Sequence, residues 1–322
     1  MTAKNKSVLS LILKLSVAVG LIVYMIKSGH LDPKDVWALM TWPNVIVALG
    51  LVGLNIFVAA WRWVILLRAR GFEIPISYGF SLYLIGIFFN HALPGAVGGD
   101  VVRGYYLVSD HPERRLDSVL SIVIDRVLGL YSFFILSLLA VLWDYEFVVS
   151  HENIRWVALM SLLVFLGMTA FFVVAFSQRL SRLFGLSFFE KRIAIIHRIV
   201  VGIQHFGRDR RIIALSVFVS LFGQIFTMIF FYQIAILSGE ADITWKAVLF
   251  AVPMGFLVTA IPIAPAGIGV GQVAFLYLFQ AYLEKQTQFG ATAITAFQLC
   301  TIAWAMVGAL IYLRRKKPRE LQ

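Results

Sequence analysis

Four charged residues, in two pairs, stand inside apolar sequence. Asp100 and Arg103 fall in "HALPGAVGGDVVRGY" at 91–105, and Asp125 with Arg126 fall in "VIDRVLGL" at 123–130. An ionised group in hydrocarbon costs roughly 2.5 to 3.5 kcal/mol on insertion scales, so such residues are candidates for function by default. Asp100 follows Gly98 and Gly99, where a carboxylate can cap the free N–H groups of a new helix. Spaced i, i+3, Asp100 and Arg103 share a helix face and can pair. Asp125 and Arg126 are adjacent and cannot point the same way, so one member of each pair can serve the other pair.

Two readings follow. In the functional one, Asp100, Arg103, Asp125 and Arg126 line a polar cavity open toward the cytoplasm, whose guanidinium groups and broken helix N-termini hold an anionic headgroup. In the structural one, Asp100 is a cap and the four charges neutralise one another to hold the segment in place. Arg62, in "WRW", stands a few residues from a basic loop, close enough to snorkel, and reads as an anchor.

The elements that must position these residues are membrane helices. The chain is 60% apolar and only 14% charged, with a mean hydropathy of +0.87, far outside the soluble range. Apolar runs long enough to cross a bilayer cover 8–26, 44–67, 118–142, 156–176, 212–237 and 291–313. The first contains Lys14 and lacks a small-x-small cleavage site, so it is expected to be a retained span rather than a signal peptide. Two further apolar regions, 76–108 and 246–283, are each interrupted by Pro and Gly. Pro94, Gly95, Gly98 and Gly99 break the first; Pro262, Pro265, Gly267, Gly269 and Gly271, followed by Gln272, break the second. They read as helical hairpins.

The basic residues test this arrangement, because they should collect on one side of the membrane. Lys4, Lys6, Arg68, Arg70, Arg114, Arg115 and the "RRKK" at 314–317 fall on one side if each hairpin returns to the side it left. Asp144, Glu146, Glu152, Glu240 and Asp242 fall on the other, with Trp37, Trp42, Trp143, Trp156 and Trp245 as an outer aromatic belt. Both termini are then cytoplasmic. The first hairpin dips from the cytoplasm and the second from outside, the arrangement of an inverted repeat whose broken segments mark a binding site. The expected fold is therefore a single all-α polytopic domain over 1–322, with about six full spans and two oppositely oriented re-entrant hairpins. Residues 177–211 carry eight Lys and Arg, and Ile193, Ile196, Ile199, Val200 and Ile203 at helical spacing. They read either as a cytoplasmic amphipathic helix on the membrane surface or as a packed positive-inside loop.

Other chemistry finds little support. The net charge of +11 fits the anionic cytoplasmic leaflet, which sets nucleic acid aside. Cys300 is the only cysteine, which excludes an intrachain disulfide and a cysteine cluster for zinc. No P-loop, metalloprotease or hydrolase motif occurs, so no metal, cofactor or catalytic residue is assigned. His111 with Glu113 could act as acid and base, but reads better as a turn before a helix, and His91 beside Asn90 as a structural hydrogen-bonder. Gln224, Gln233 and Gln298 either line the cavity or make ordinary interhelical bonds.

The blocks "NHALPGAVGGDVVRGYYL", "VIDRVLGL" and "IPIAPAGIGVGQVAFLYLF" resemble, in order and spacing, the transmembrane region of lysylphosphatidylglycerol synthases. This flippase-like domain also occurs alone in many bacterial and archaeal proteins. The resemblance implies a membrane fold with re-entrant helices that moves a lipid, in some members aminoacylated phosphatidylglycerol, while relatives are linked to polyprenyl-phosphate sugar pathways. It maps the Pro-Gly and Gly-Gly-Asp block onto Pro94, Gly95, Gly98, Gly99, Asp100 and Arg103, and the acidic-Arg block onto Asp125 and Arg126. The last block usually reads Gly-Gly-x-Gly-x-Arg-Glu, whereas here Gly271 and Gln272 replace the charged pair. The chain ends at Gln322 without an aminoacyl-transferase domain and is expected not to make aminoacyl lipids itself. The leading expectation is a multi-pass lipid flippase or scramblase of a bacterial or archaeal cytoplasmic membrane, admitting an anionic or phosphate-bearing lipid between the two hairpins. A membrane enzyme acting on lipid-linked intermediates, a lipid-binding partner subunit of a synthase and a small-solute channel are the alternatives.

Overall fold

The computed structural model describes residues 16, 19–39, 41–92, 98–176, 202–204, 206–207, 209–261 and 264–315. Among these residues the chain is helical and has no strand. Helix α1 covers 19–27. It is followed by α2 (Pro33–Ala38), α3 (Trp42–Ala69), α4 (Ile76–Ala92), α5 (Gly98–Asp110), α6 (Arg115–Trp143), α7 (Tyr145–Ser150) and α8 (Glu152–Phe176). The chain continues through α9 (Arg210–Leu237), α10 (Trp245–Thr259), α11 (Val270–Leu283) and α12 (Phe289–Arg314). Five helical stretches are long and apolar enough to cross a membrane: Trp42–Ala69, Pro112–Trp143, Ile154–Val174, Arg210–Leu237 and Phe289–Arg314. The sixth expected span, 8–26, lies mostly outside the described residues, as does the basic segment 177–211.

Local sequence sets the helix ends. Asp209 opens α9 by accepting hydrogen bonds from the Arg211 and Ile212 N–H groups, and Thr244 opens α10 by accepting from Ala247 N–H. Pro43 occupies the first turn of α3, where its missing N–H costs nothing. Helix α3 is the centre of the bundle and packs against α4, α6, α9 and α12. Helix α8 packs chiefly against α6 and α7 at the edge and presents most of its surface outward.

The two interrupted regions form paired helices, α4 with α5 and α10 with α11. They open toward opposite ends of the bundle. At the end rich in Arg, Tyr78 on α4 donates to Asp110 at the close of α5 (2.6 Å), and Arg315 after α12 pairs with the same carboxylate (2.5 Å). Arg70 pairs with Asp117 there (2.7 Å), and Arg114 donates to the Arg70 carbonyl. At the far end, Asp144 gathers Lys246 from the start of α10 (2.9 Å) and the Tyr282 hydroxyl from the end of α11. Lys285 pairs with Asp242 (2.5 Å) and Glu240 (3.2 Å) at the same end. Trp37, Trp42, Trp143, Trp156 and Trp245 are all exposed.

The first pair depends on glycine. A Cβ on Gly99 would lie 1.8 Å from the Gly86 carbonyl oxygen, and one on Gly86 would lie 2.5 Å from Cδ of Arg103. The two backbones touch, and only hydrogen fits between them. Asn90 completes the junction by accepting the Gly99 N–H at 2.9 Å. Gly99→Ala is expected to overpack this contact and cost about 1–3 kcal/mol, read as a lower thermal midpoint in detergent; an unchanged midpoint would mean the arms separate freely.

Between α7 and α8, His151 bridges to Glu284, the left-handed residue ending α11, at 2.5 Å. The Phe147 carbonyl, and after it Glu284, hold the imidazole above its ordinary value of 6.5, against some desolvation. A raised folded-state value means the bridge contributes fully below 6.5 and is lost as pH rises through the higher value. Glu284→Gln should therefore lower the thermal midpoint at about pH 6 and leave it unchanged at about pH 9. Equal loss at both pH values would disprove protonation of the bridge.

Candidate functional site

All five buried-sequence charges converge on one cavity of about 400 Å³ lined by α3, α4, α5, α6, α9, α10 and α12. They form an alternating chain. Arg62 on α3 donates Nε–H to Asp125 Oδ1 on α6 at 2.8 Å, and Arg103 on α5 reaches Asp125 Oδ2 at 3.4 Å. Arg103 also contacts Asp100 Oδ1 at 3.3 Å, and Asp100 Oδ2 accepts from Arg126 on α6. The order is Arg62, Asp125, Arg103, Asp100, Arg126, three cations and two anions. Each carboxylate oxygen meets a guanidinium, which is what an apolar interior demands of a charge. The cluster retains one net positive charge.

Burial grades along this chain. The Arg62, Asp125 and Arg103 side chains are almost fully enclosed, Asp100 slightly less so, and that of Arg126 is 37% exposed. Arg126 is therefore the accessible end, with a single carboxylate partner. Arg103 is gripped most tightly: its guanidinium lies between the Trp63 ring (4.1 Å) and the Tyr83 ring (4.4 Å). Trp63 is itself fixed by its Nε1–H to Ser121 Oγ at 3.2 Å. The Arg103 Nε–H is buried without a partner.

Helix geometry explains the layer. Arg62 lies about 10 Å along α3, and Asp125 about 15 Å along α6, from the Arg-rich end of the bundle. Arg62 also donates to Ser220 Oγ on α9 at 2.8 Å, which ties a fourth helix to the layer. Gly129 has no side chain where Arg62 crosses α6; a Cβ there would lie 3.3 Å from both terminal guanidinium nitrogens.

One expectation is corrected, and one of the two readings of Asp100 is narrowed. Arg62 does not snorkel: it is buried, ion-paired and part of the cavity wall. Asp100 is not the cap of α5: Asn90 caps that helix, and the Asp100 carboxylate serves Arg103 and Arg126. A signal for Arg62 exists, since Asn55 and Arg62 are two turns apart on one face of α3, and both line the cavity. Ser220, Thr227 and Tyr83 also line it and carry no sequence signal. Gln224 lines it as well, whereas Gln298 bonds to Gln272 instead.

The tips fare differently. Gly98 and Gly99 begin α5 next to the charges, while Pro94, Gly95 and Pro262 lie outside the described residues. At the second tip, Pro265 starts a short turn, and Gly267 and Gly269 adopt left-handed backbone with φ of 70° and 84°. Gly271 admits Thr259 and Gln298, whose atoms would stand 3.2 and 3.3 Å from its Cβ. Gln272 reaches back to accept the Gly269 N–H at 2.8 Å and donates to Gln298 (2.7 Å) and Thr295 (3.1 Å). None of the described tip residues lines the cavity; the second helix pair contributes Phe256 on α10 instead. Among the described residues no group of three His, Cys, Asp or Glu could hold a metal ion.

A helical bundle with long apolar helices and a charged interior cavity defines a polytopic membrane protein. The chain belongs to the family of the lysylphosphatidylglycerol synthase transmembrane region, whose model matches residues 11–312. Neither the curated proteins nor the solved structures give a significant match.

The geometry ranks the charges by their structural weight. Asp125→Asn leaves Arg62 without a counter-ion and Arg103 with Asp100 alone, and is expected to cost about 3–5 kcal/mol. Arg126→Gln, at the exposed end, should cost well under half as much. Thermal unfolding of both variants in detergent decides this; equal losses would contradict the graded burial.

Proposed function

We propose that this protein moves a phosphate-bearing lipid across the cytoplasmic membrane as a flippase or scramblase. The observation that carries the reading is the chain of three Arg and two Asp in a cavity whose remaining wall is largely apolar. A cavity with a cationic layer and apolar walls matches a lipid, whose phosphate and chains need opposite surroundings. Arg126 offers the first contact, giving a phosphate oxygen the N–H donors that its Nη1 contact with Asp100 leaves over, and Arg103 stands behind it as the second donor. Membership of a lipid-synthase transmembrane family supports a lipid cargo. The collection of Arg68, Arg70, Arg114, Arg115, Arg210, Arg211, Arg314 and Arg315 at one end of the helices supports a cytoplasmic location for that end and re-entry of the first hairpin from it.

A transporter fits better than an enzyme using Asp100 as base. Both oxygens of Asp100 are engaged by guanidinium groups, which leaves neither free to take a proton from a substrate. Reconstitution into vesicles with a fluorescent phosphatidylglycerol, quenched from outside by dithionite, tests the proposal. Wild type should accelerate movement across the bilayer, and Arg126→Gln and Arg103→Ala should each slow it at least about tenfold. Unchanged rates in both folded variants would remove the charges from the transport path. No acceleration by wild type would discard transport in favour of a lipid-binding subunit of a synthase.

A further inference from the structure

Beyond the charged layer, the cavity wall holds neutral polar groups with nothing to bind. Gln224 is 9% exposed and Thr227 is 2% exposed, both line the cavity, and neither makes a hydrogen bond with the described residues. Their polar atoms face the cavity without a partner in its wall, so a ligand that hydrogen-bonds to them gains contacts that an apolar one cannot make. Their position is fixed by α9. Ser220 is tied to the charged layer through Arg62, and Gln224 and Thr227 lie one and two turns further along the helix, about 6 and about 10 Å deeper. The same wall offers no free anion. Among the described residues Asp100 and Asp125 are the only carboxylates lining the cavity, and each oxygen of both already faces an Arg.

We infer that the cavity selects a phospholipid whose headgroup beyond the phosphate is uncharged and rich in hydroxyls, and that it rejects a cationic aminoacyl headgroup. This inference rests on the lipid-transport reading of the same cavity and names its substrate class. One phosphodiester neutralises the single excess positive charge, which places the phosphate at Arg126 and Arg103. Hydroxyls on the adjoining headgroup then reach Gln224 and Thr227, whose amide and hydroxyl both donate and accept. An added ammonium finds no carboxylate without stripping one from an Arg, and breaking one partner from a buried pair leaves a charge uncompensated. The second tip supplies no substitute, because Gln272 is neutral and its carbonyl oxygen and amide are already bonded to Gly269, Thr295 and Gln298.

Native mass spectrometry of the purified chain with equal amounts of phosphatidylglycerol, lysylphosphatidylglycerol and phosphatidic acid tests this. Phosphatidylglycerol should be retained about tenfold or more over the lysyl lipid. It should also exceed phosphatidic acid, which has the phosphate without the headgroup hydroxyls. Gln224→Leu and Thr227→Val should erase the preference over phosphatidic acid while leaving phosphate-dependent retention intact. Glycerol phosphate, the same headgroup without chains, should not displace the lipid at equal concentration; displacement would assign the site to a soluble phosphoester. Equal or stronger retention of the lysyl lipid would overturn the headgroup selection and leave lipid binding standing. Failure to retain any of the three lipids would instead sink the transport reading, and the selection with it.

Discussion

The alternating chain from Arg62 to Arg126 is the interaction on which the rest of the architecture depends. Five ionised groups in an apolar bundle are tolerable only if every charge meets its opposite, and no single helix can supply that alternation. Asp125 and Arg126, being neighbours, diverge from α6: Asp125 turns to Arg62 and Arg103, Arg126 to Asp100. The first helix pair must therefore bring α5 against α6, and it must do so with its backbones in contact at Gly86 and Gly99 so that Arg103 can lie across α4. The stacking of Arg103 between Trp63 and Tyr83 then locks α3 and α4 to the same layer. One electrostatic constraint thus accounts for the glycines, the aromatic sandwich and the central place of α3.

The second helix pair solves its broken backbone without charge. Gln272 satisfies a free N–H at the start of α11 and is itself held by α12, so the turn at Gly267 and Gly269 is closed by neutral hydrogen bonds. Where the resembling family places an Arg-Glu pair, a single amide here caps the helix and anchors it. The charge of the cavity consequently comes from α3, α5 and α6 alone among the helices that line it. Phe256 on α10 gives it an apolar floor, stacking on Phe133 and meeting Phe297 edge-on.

Much of this was visible in the sequence because it rests on residues that violate the local composition. Pro and Gly interrupt apolar runs only where a helix breaks, and Asp and Arg enter such runs only where something pairs them, so Asp100, Arg103, Asp125 and Arg126 stand out without any structure. Arg62 was legible only in part. Its short distance from a basic loop is the same for a snorkelling side chain as for a buried one, and the decision lies with Asp125 and Ser220, distant in sequence. The cap of α5 is not legible locally for a similar reason. A local rule favours the acidic residue nearest the helix start, but Asp100 is needed by two Arg, and Asn90, on the preceding helix, takes its place. Gln224 is legible only as one of three glutamines that either line the cavity or bond between helices, and Thr227 gives no signal, because neutral polar residues are common in membrane helices and only the cavity distinguishes them.

The division of labour between the two helix pairs has a mechanical consequence. Ion pairs and stacked guanidinium groups are directional and few, so the layer formed by α3, α5, α6 and α9 has little freedom to shift without leaving a charge unpaired. The contacts of α10 with α6 and of Phe256 with its neighbours are apolar, and such contacts change register at much smaller cost because any close-packed arrangement buries similar area. Pro253 lies inside α10, where it removes a backbone hydrogen bond one turn before Phe256. The floor of the cavity is thus built on the helix least restrained by polar bonds within the membrane, while the charged layer is built on the helices most restrained. On the proposed transport reading, that partition puts the anion-binding groups on the rigid side and the barrier on the compliant one.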